Sequence, residues 1–495
     1  MKKGIFFLIL FSFLGLLWSG SAVALDDFAP SSVNTTPFFP SVMGLALPAD
    51  GVTDNVQVND VSIGQQHQPD MAVTSDGIIY VVWRDFRDDP GGKQGDIYFA
   101  KSTNGGLTFS AGVCVNDDSG TTPHCAPMLT TDNQGNVYVV WHDNRNGNWD
   151  IYFAKSTDGG DHFDPNVQIV NDPDTQYEAA LAIDNDGNIY VTWIHSYSTG
   201  IYNDFDIYFA KSTDEGQTFT TPVMVNDVGD GYQYTANIRV DESGIIYVVW
   251  TDHRNGWSNI YFAKSTDGGE NFSENVRVNS TDYGQGYPDL ALDDTENIYV
   301  VWKDLRDHYS SNTTQVYLAK STDNGASFEA GVRVNNANIT RLLIYLYPSL
   351  AVTGDGEIYV SWWDNRNDNL DVYLTHSYDG GISFSPSRRM NDDINNASQD
   401  QSRIVVDESG DIYGVWSDYR NLYNSPDIYF AHFSPCEGDF NDDGDVDGAD
   451  LAIFAADFGR TDCSGDCEGD FNNDGDVDRA DLAIFAADFG RTDCP

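Results

Sequence analysis

Asn136-Val137-Tyr138-Val139-Val140-Trp141-His142-Asp143-Asn144-Arg145 leads into Asp150-Ile151-Tyr152-Phe153-Ala154-Lys155-Ser156, and then into Asp158, Gly160 and Phe163. Both runs are rich in β-branched and aromatic residues, the composition of buried strands. The passage recurs. Strand-like runs end at Trp83, Trp141, Trp193, Trp250, Trp302, Trp362 and Trp416, at intervals of 58, 52, 57, 52, 60 and 54 residues. A turn such as Asp184-Asn185-Asp186-Gly187 precedes each run and a second strand follows it. A third short strand ends in Val-Asn, as at Val170-Asn171 and Val225-Asn226. A fourth, such as Ala180-Leu181-Ala182-Ile183, leads back to the next Trp. Four short strands in each of seven repeats predict a mainly β chain folded as a seven-bladed β-propeller over residues 56–435. The last repeat stops after Phe430-Ala431 without an outer strand, while Val56-Gln57-Val58-Asn59 is a spare at the start. The N-terminal strand is expected to complete the seventh blade and so remove an exposed sheet edge.

Two motifs ride on the repeat. Ser-x-Asp-x-Gly-x-x-Phe occurs at Ser156/Phe163, Ser212/Phe219, Ser265/Phe272, Ser321/Phe328 and Ser377/Phe384, and at Ser102/Phe109 with Asn104 replacing Asp. An Asp in a tight turn accepts backbone N–H bonds, and Gly supplies positive φ. Trp-x-Asp-x-Arg gives the pairs Asp85/Arg87, Asp143/Arg145, Asp252/Arg254, Asp304/Arg306, Asp364/Arg366 and Asp418/Arg420. The third blade has His195 and Tyr197 at those places. Six such pairs around a ring read as blade-fixing ion pairs. The loops carrying them, with the Asn-Asp turns Asn59-Asp60 and Asn226-Asp227, make a polar face whose carboxylates are candidates for further calcium.

The first motif resembles the Asp-box of sialidase-like (BNR-repeat) propellers, over roughly residues 56–433. That resemblance implies a propeller whose Asp-box hairpins lie away from the catalytic face. It also implies, for sialidase activity, an arginine triad, a Tyr nucleophile with a Glu partner, and an Asp acid/base. Seven blades depart from the six of sialidases, and the N-terminal arginine motif of that family is absent. Most arginines belong to the repeated pair; Arg239, Arg341 and Arg403 do not, and Glu178 is one of few glutamates outside turns. Fold alone does not carry function.

Residues 436–463 and 467–494 are near-copies offset by 31 positions. Each places oxygen ligands at positions 1, 3, 5, 7, 9 and 12 of a loop with Gly at 6, the pattern of an EF-hand-type calcium loop. The ligands are Asp439, Asn441, Asp443, Asp445, Asp447 and Asp450, then Asp470, Asn472, Asp474, Asp476, Asp478 and Asp481. Asp445 and Asp476 would use their backbone carbonyls. Hard oxygen donors favour calcium, so two calcium ions are expected. Each loop opens an apolar helix, Leu451–Phe458 or Leu482–Phe489. One helix per loop resembles the dockerin type I repeat, which makes residues 436–495 a small α-helical, EF-hand-like domain. Cohesin-binding dockerins often carry Ser/Thr near positions 10 and 11; here those are Gly448-Ala449 and Arg479-Ala480. The expected partner is an extracellular protein or another copy of this chain.

Residues 1–24, with Lys2 and Lys3, an apolar run from Ile5 to Trp18 and Ala22-Val23-Ala24, read as a secretory signal. The run is short for a membrane span. Residues 25–55 read as a linker. The net charge of −51 disfavours nucleic acid and anionic lipid; halophilic adaptation is another reading of it. Six cysteines in an exported chain favour disulfides. Cys436–Cys463 with Cys467–Cys494 is the expected pairing, and Cys436–Cys494 with Cys463–Cys467 is the alternative. The balance of these signs points to a secreted or cell-surface binding and assembly protein. On that reading the tail makes calcium-dependent protein contacts, and a glycan is a candidate ligand of the propeller face. The rival is an exo-α-sialidase-like glycoside hydrolase on a dockerin-like anchor. A non-periodic acid, Tyr and Arg constellation would mark the rival, and the repeat pattern does not single one out.

Overall fold

The computed structural model describes residues 55–433, save 90–93, 119–121, 199–202, 230, 312, 340–345, 368, 394–396, 408–409 and 422–424. It also describes 438, 446–461, 469 and 476–490. The expected signal and most of the expected linker (residues 1–54), Arg341, and Cys436, Cys463, Cys467 and Cys494 lie outside these residues.

Seven four-stranded antiparallel sheets form the propeller. The second blade shows the pattern: inner strand His124–Thr131, then Val137–Asp143, Asp150–Ser156 and the outer Val167–Gln168. Blade seven has Gln399–Val406, Ile412–Asp418 and Asp427–Phe433, and its outer strand is Val56–Gln57. Val56 pairs with Phe430 and Gln57 with Tyr429, as the sequence predicts. The Val-Asn signature explains itself here. In six blades, where the outer strand departs, the Asn carboxamide takes over a third-strand N–H; in the second blade Val170 stands at that place and Asn171 one residue further on. Ile97 N donates to Asn116 Oδ1 at 2.8 Å, and Ile428 N donates to Asn59 Oδ1 at 2.7 Å across the closure.

Adjacent blades pack face to face. Tyr80, Val82 and Phe99 of blade one meet Leu129, Val139 and Trp141 of blade two. All seven repeat tryptophans are fully buried. This is why the Trp strands are continuously apolar rather than alternating. The Asp-boxes clamp each of the first six blades to the one before it in the ring. Gly160 N donates to Ser156 Oγ at 2.8 Å, and Ser156 Oγ donates to Asp158 Oδ1 at 2.8 Å. Phe163 sits edge-on to Phe99 at 5.4 Å. Gly160 has φ +85°, and a Cβ there would lie 2.0 Å from Phe99 Cε1. Gly106 faces Phe430 in the same way, so the clamp also closes the ring.

C-terminal to the propeller, Gly448–Asp457 and Arg479–Asp488 are helices. They begin three residues before the expected Leu451 and Leu482 because Asp447 and Asp478 cap them. Asp447 N donates to Asp450 Oδ2 at 2.9 Å, and Ala449 N donates to Asp447 Oδ1 at 2.6 Å. Phe454 and Phe485 stack at 5.2 Å. Reciprocal bonds, Gly459 N to Val477 O and Gly490 N to Val446 O, both 2.7 Å, relate the two copies. Asp450 and Asp481 are fully buried, Asp447, Asp476 and Asp478 are exposed, and the other seven expected calcium ligands lie outside the described residues. Among the described residues no helix is long and apolar enough to cross a membrane.

Candidate functional site

The Trp-x-Asp-x-Arg loops and the Asp-boxes lie at opposite ends of the blades, since one follows the Trp strand and the other the next, antiparallel strand. At the first end the Asp–Arg pairs are structural. Asp143 accepts from Trp141 Nε1 at 3.0 Å and from Arg145 N at 2.8 Å. Arg145 stacks over Tyr152 at 4.2 Å and reaches Asp117 at 2.6 Å. Blades four and seven repeat this with Arg254–Asp227 at 2.7 Å and Arg420–Asp392 at 2.5 Å.

The inner strands build something different. In six blades an extra residue bulges from the inner strand, as between His67 and Asp70. The bulge residue has positive φ: Gln68, Ala126, Glu178, Thr235, Tyr287 and Gln401. This backbone is periodic, but the side chains on it are not. With Tyr347 and Arg403 they line a central cavity of about 160 Å³. Its walls are tied between blades: Ala126 N donates to Gln68 Oε1 at 3.1 Å, and Gln68 N to Gln401 Oε1 at 2.9 Å.

Next to the bulges stand residues that follow the repeat Trp: Arg84, His142, Ile194, Thr251, Lys303, Trp363 and Ser417. Tyr234 Oη and His253 Nε2 lie 2.9 Å apart. Glu178 acts on Tyr234 electrostatically, and burial pushes its own carboxyl up to about 7. Burial also lifts Asp400 to about 7 and lowers Lys303 to about 7. The Lys303 ammonium sits 4.4 Å from the Tyr287 ring centre. Tyr287 meets Tyr347 at 4.4 Å, and Tyr347 meets Trp363 at 5.7 Å. Burial, with Arg84 nearby, depresses His67 to about 4 and His142 to about 3, so both imidazoles are neutral at pH 7. Cys125 is a half-buried free thiol beside Arg84, and the exposed Cys114 likewise forms no disulfide. Loops at this end expose Tyr232, Trp257 and Tyr283. Groups tuned toward neutrality beside aromatic walls can transfer protons and stack on sugar faces.

Sequence reasoning singled out Glu178 and Arg403, which both line the cavity. Arg239 pairs with Asp289 at 3.6 Å. The repeat pattern does not single out a non-periodic constellation, yet Arg84, His142, Lys303 and Trp363 occupy one column of the repeat with different chemistry. Reading which columns of the repeat vary would have found them.

The fold defines the class: a seven-bladed propeller with sialidases and polysaccharide lyases among its structural neighbours. An ulvan lyase described as a new polysaccharide lyase family aligns at 16% identity over 77% of this chain and 94% of that one, with TM-score 0.51. Such an enzyme bound to -[GlcA(1-4)Rha3S]- aligns at 15% over 77% and 93%, with TM-score 0.50. An intramolecular trans-sialidase from Ruminococcus gnavus aligns at 11% over 62% and 94%, with TM-score 0.45. No protein-family model matches the chain, and no curated protein matches it significantly.

Proposed function

We propose that this chain is a secreted glycan-cleaving propeller that binds a polysaccharide across the mouth of the central cavity and breaks a glycosidic bond there. This is closer to the enzyme alternative of the sequence reading than to its scaffold. The observation that carries it is the ring of unlike, buried and half-buried titratable groups on a periodic backbone. Scaffolding would repeat at these positions, and it does not. The likeness in fold to a polysaccharide lyase supports the reading. Glu178, poised near neutrality, is the proton-transfer group, since a general acid or base works best with a pKa near ambient pH. Tyr234 and His253 form its hydrogen-bonded neighbour pair. The Lys303 ammonium offers charge stabilisation, and Tyr287, Tyr347 and Trp363 supply the stacking wall.

The test is incubation of purified protein with neutral and uronate-containing polysaccharides. New reducing ends report hydrolysis, and ultraviolet-absorbing unsaturated ends report elimination. Neither signal from any polymer, or signal undiminished in Glu178→Gln, would overturn the proposal.

The C-terminal residues support a dockerin-like role. In each copy a fully buried carboxylate, Asp450 or Asp481, stands at position 12 and turns one oxygen to the capping N–H. Such a group fits a calcium cage. Calcium would supply the charge that holds the acidic loop closed, with the twelve residues named above as its ligands. The module would then tether the enzyme to another extracellular protein or another copy.

A further inference from the structure

Blade three breaks the ion-pair rule of the other six. His195 stands where they have Asp and Tyr197 where they have Arg, and its two middle strands run for ten residues each, Ile189–Ser198 and Asn203–Ser212. Tyr197 contacts the Tyr208 hydroxyl, a neutral exchange. The guanidinium that elsewhere neutralises the loop acids Asp117, Asp227 and Asp392 has no counterpart here. In strand register Asn171 takes the place of Asp117 and Asp172 that of Asp118, and Asp174 comes two residues later, so two acids stand here without that arginine.

Three further facts converge on this gap. Ligand atoms of Asp172, Asp174 and His195 all lie within 4.8 Å of one another. His195 is only 5% exposed, and its Nε2 has no hydrogen-bond partner. That nitrogen points at Asp174 Oδ2 from 3.8 Å, too far for a hydrogen bond and wide enough to share an ion. The loop is held in place independently. Asn148 Nδ2 donates to the carbonyls of Asp172 and Asp174 at 3.2 Å each, and Asp174 N donates to Asp172 Oδ1 at 2.9 Å.

The other His–Asp cluster is a useful contrast. His124 lies 2.9 Å from Asp118 and 3.3 Å from Asp143, but Arg145 already sits 2.8 Å from Asp143 and 3.5 Å from Asp118. At the equivalent inner-strand position other blades carry Gln66, Gln176, Gln233, Gln285 and Gln399. His124 therefore replaces a neutral donor and completes an ion pair. His195 replaces an acceptor, and Tyr197 removes the cation.

We infer that Asp172, Asp174 and His195 bind a divalent metal ion that substitutes for the missing arginine of blade three. One imidazole nitrogen and two carboxylates suit a borderline ion such as Zn²⁺ better than calcium, with water completing the shell. The site is distinct from the C-terminal calcium loops, whose donors are all oxygen.

The test uses the full chain, stripped with chelator and then saturated with calcium to occupy the C-terminal loops. Zn²⁺ is titrated by calorimetry, and bound metal is counted by elemental analysis. The expected result is one equivalent of Zn²⁺, with a rise in melting temperature. His195→Asn should lose that equivalent. The double change His195→Asp with Tyr197→Arg rebuilds the pair of the other blades. It should abolish Zn²⁺ binding and keep the metal-bound melting temperature without metal. Failure of the wild type to bind, or retention of the equivalent in both variants, would overturn the inference.

Discussion

The two ends of the propeller are made from the same strands and obey opposite rules. At the Asp-box end each element repeats: the Ser–Asp turn, the glycine with positive φ, the aromatic ring lodged against the previous blade. At the cavity mouth the backbone bulge repeats, but Glu178, Tyr287, Lys303, Trp363 and His142 do not. Repetition marks what every blade needs in order to stand beside its neighbour. Variation on a repeated backbone marks what the molecule as a whole displays. One end should therefore govern stability and the other activity.

The largest expected effect is at the periodic end. Gly160→Val puts a branched side chain at φ +85° against Phe99. Backbone strain and overpacking together should remove roughly 3–5 kcal/mol, read as a lower midpoint in urea unfolding. An unchanged midpoint would break the comparison at its stronger side. Next is Trp141→Ala, which empties a fully buried site between two blades and should cost about 3–5 kcal/mol in the same assay.

At the mouth, Glu178→Gln should reduce polysaccharide cleavage by about 100-fold with the fold intact. Its stability effect has a definite sign. The carboxyl rises from 4.5 to about 7 on folding, so the folded state holds the proton more tightly. The stability linked to that proton is complete below the unfolded pKa and is lost as pH rises through the folded one. Glu178→Gln should thus leave the melting temperature alone near pH 4 and raise it by roughly 3 °C near pH 8. A melting temperature that falls at both pH values would make Glu178 a structural residue. The smallest effect is expected at the stacking wall: Tyr287→Ala should raise KM about tenfold with kcat nearly unchanged, checked by steady-state kinetics. A loss confined to kcat would move Tyr287 into the chemistry.

Much of this division is legible in the chain. The Trp spacing foretells seven blades, and the stray Val56-Gln57 foretells the closure, because a propeller blade with three strands leaves an edge to be covered. The Asp–Arg pairs are readable as ion pairs from their repetition. The mouth is harder to see because its residues are scattered one per repeat and share no motif. His195 and Tyr197 are visible as a departure, yet their meaning depends on where Asp172 and Asp174 come to rest.

The sequence by itself determined the blade count, the strand order, the interblade clamps and the place where the ring closes, since each depends on local pattern repeated at fixed spacing. Tertiary structure alone decided which side chains meet at the cavity mouth and how far burial shifts their protons. Those properties arise from residues of seven different blades brought to one axis, and no local pattern encodes that convergence.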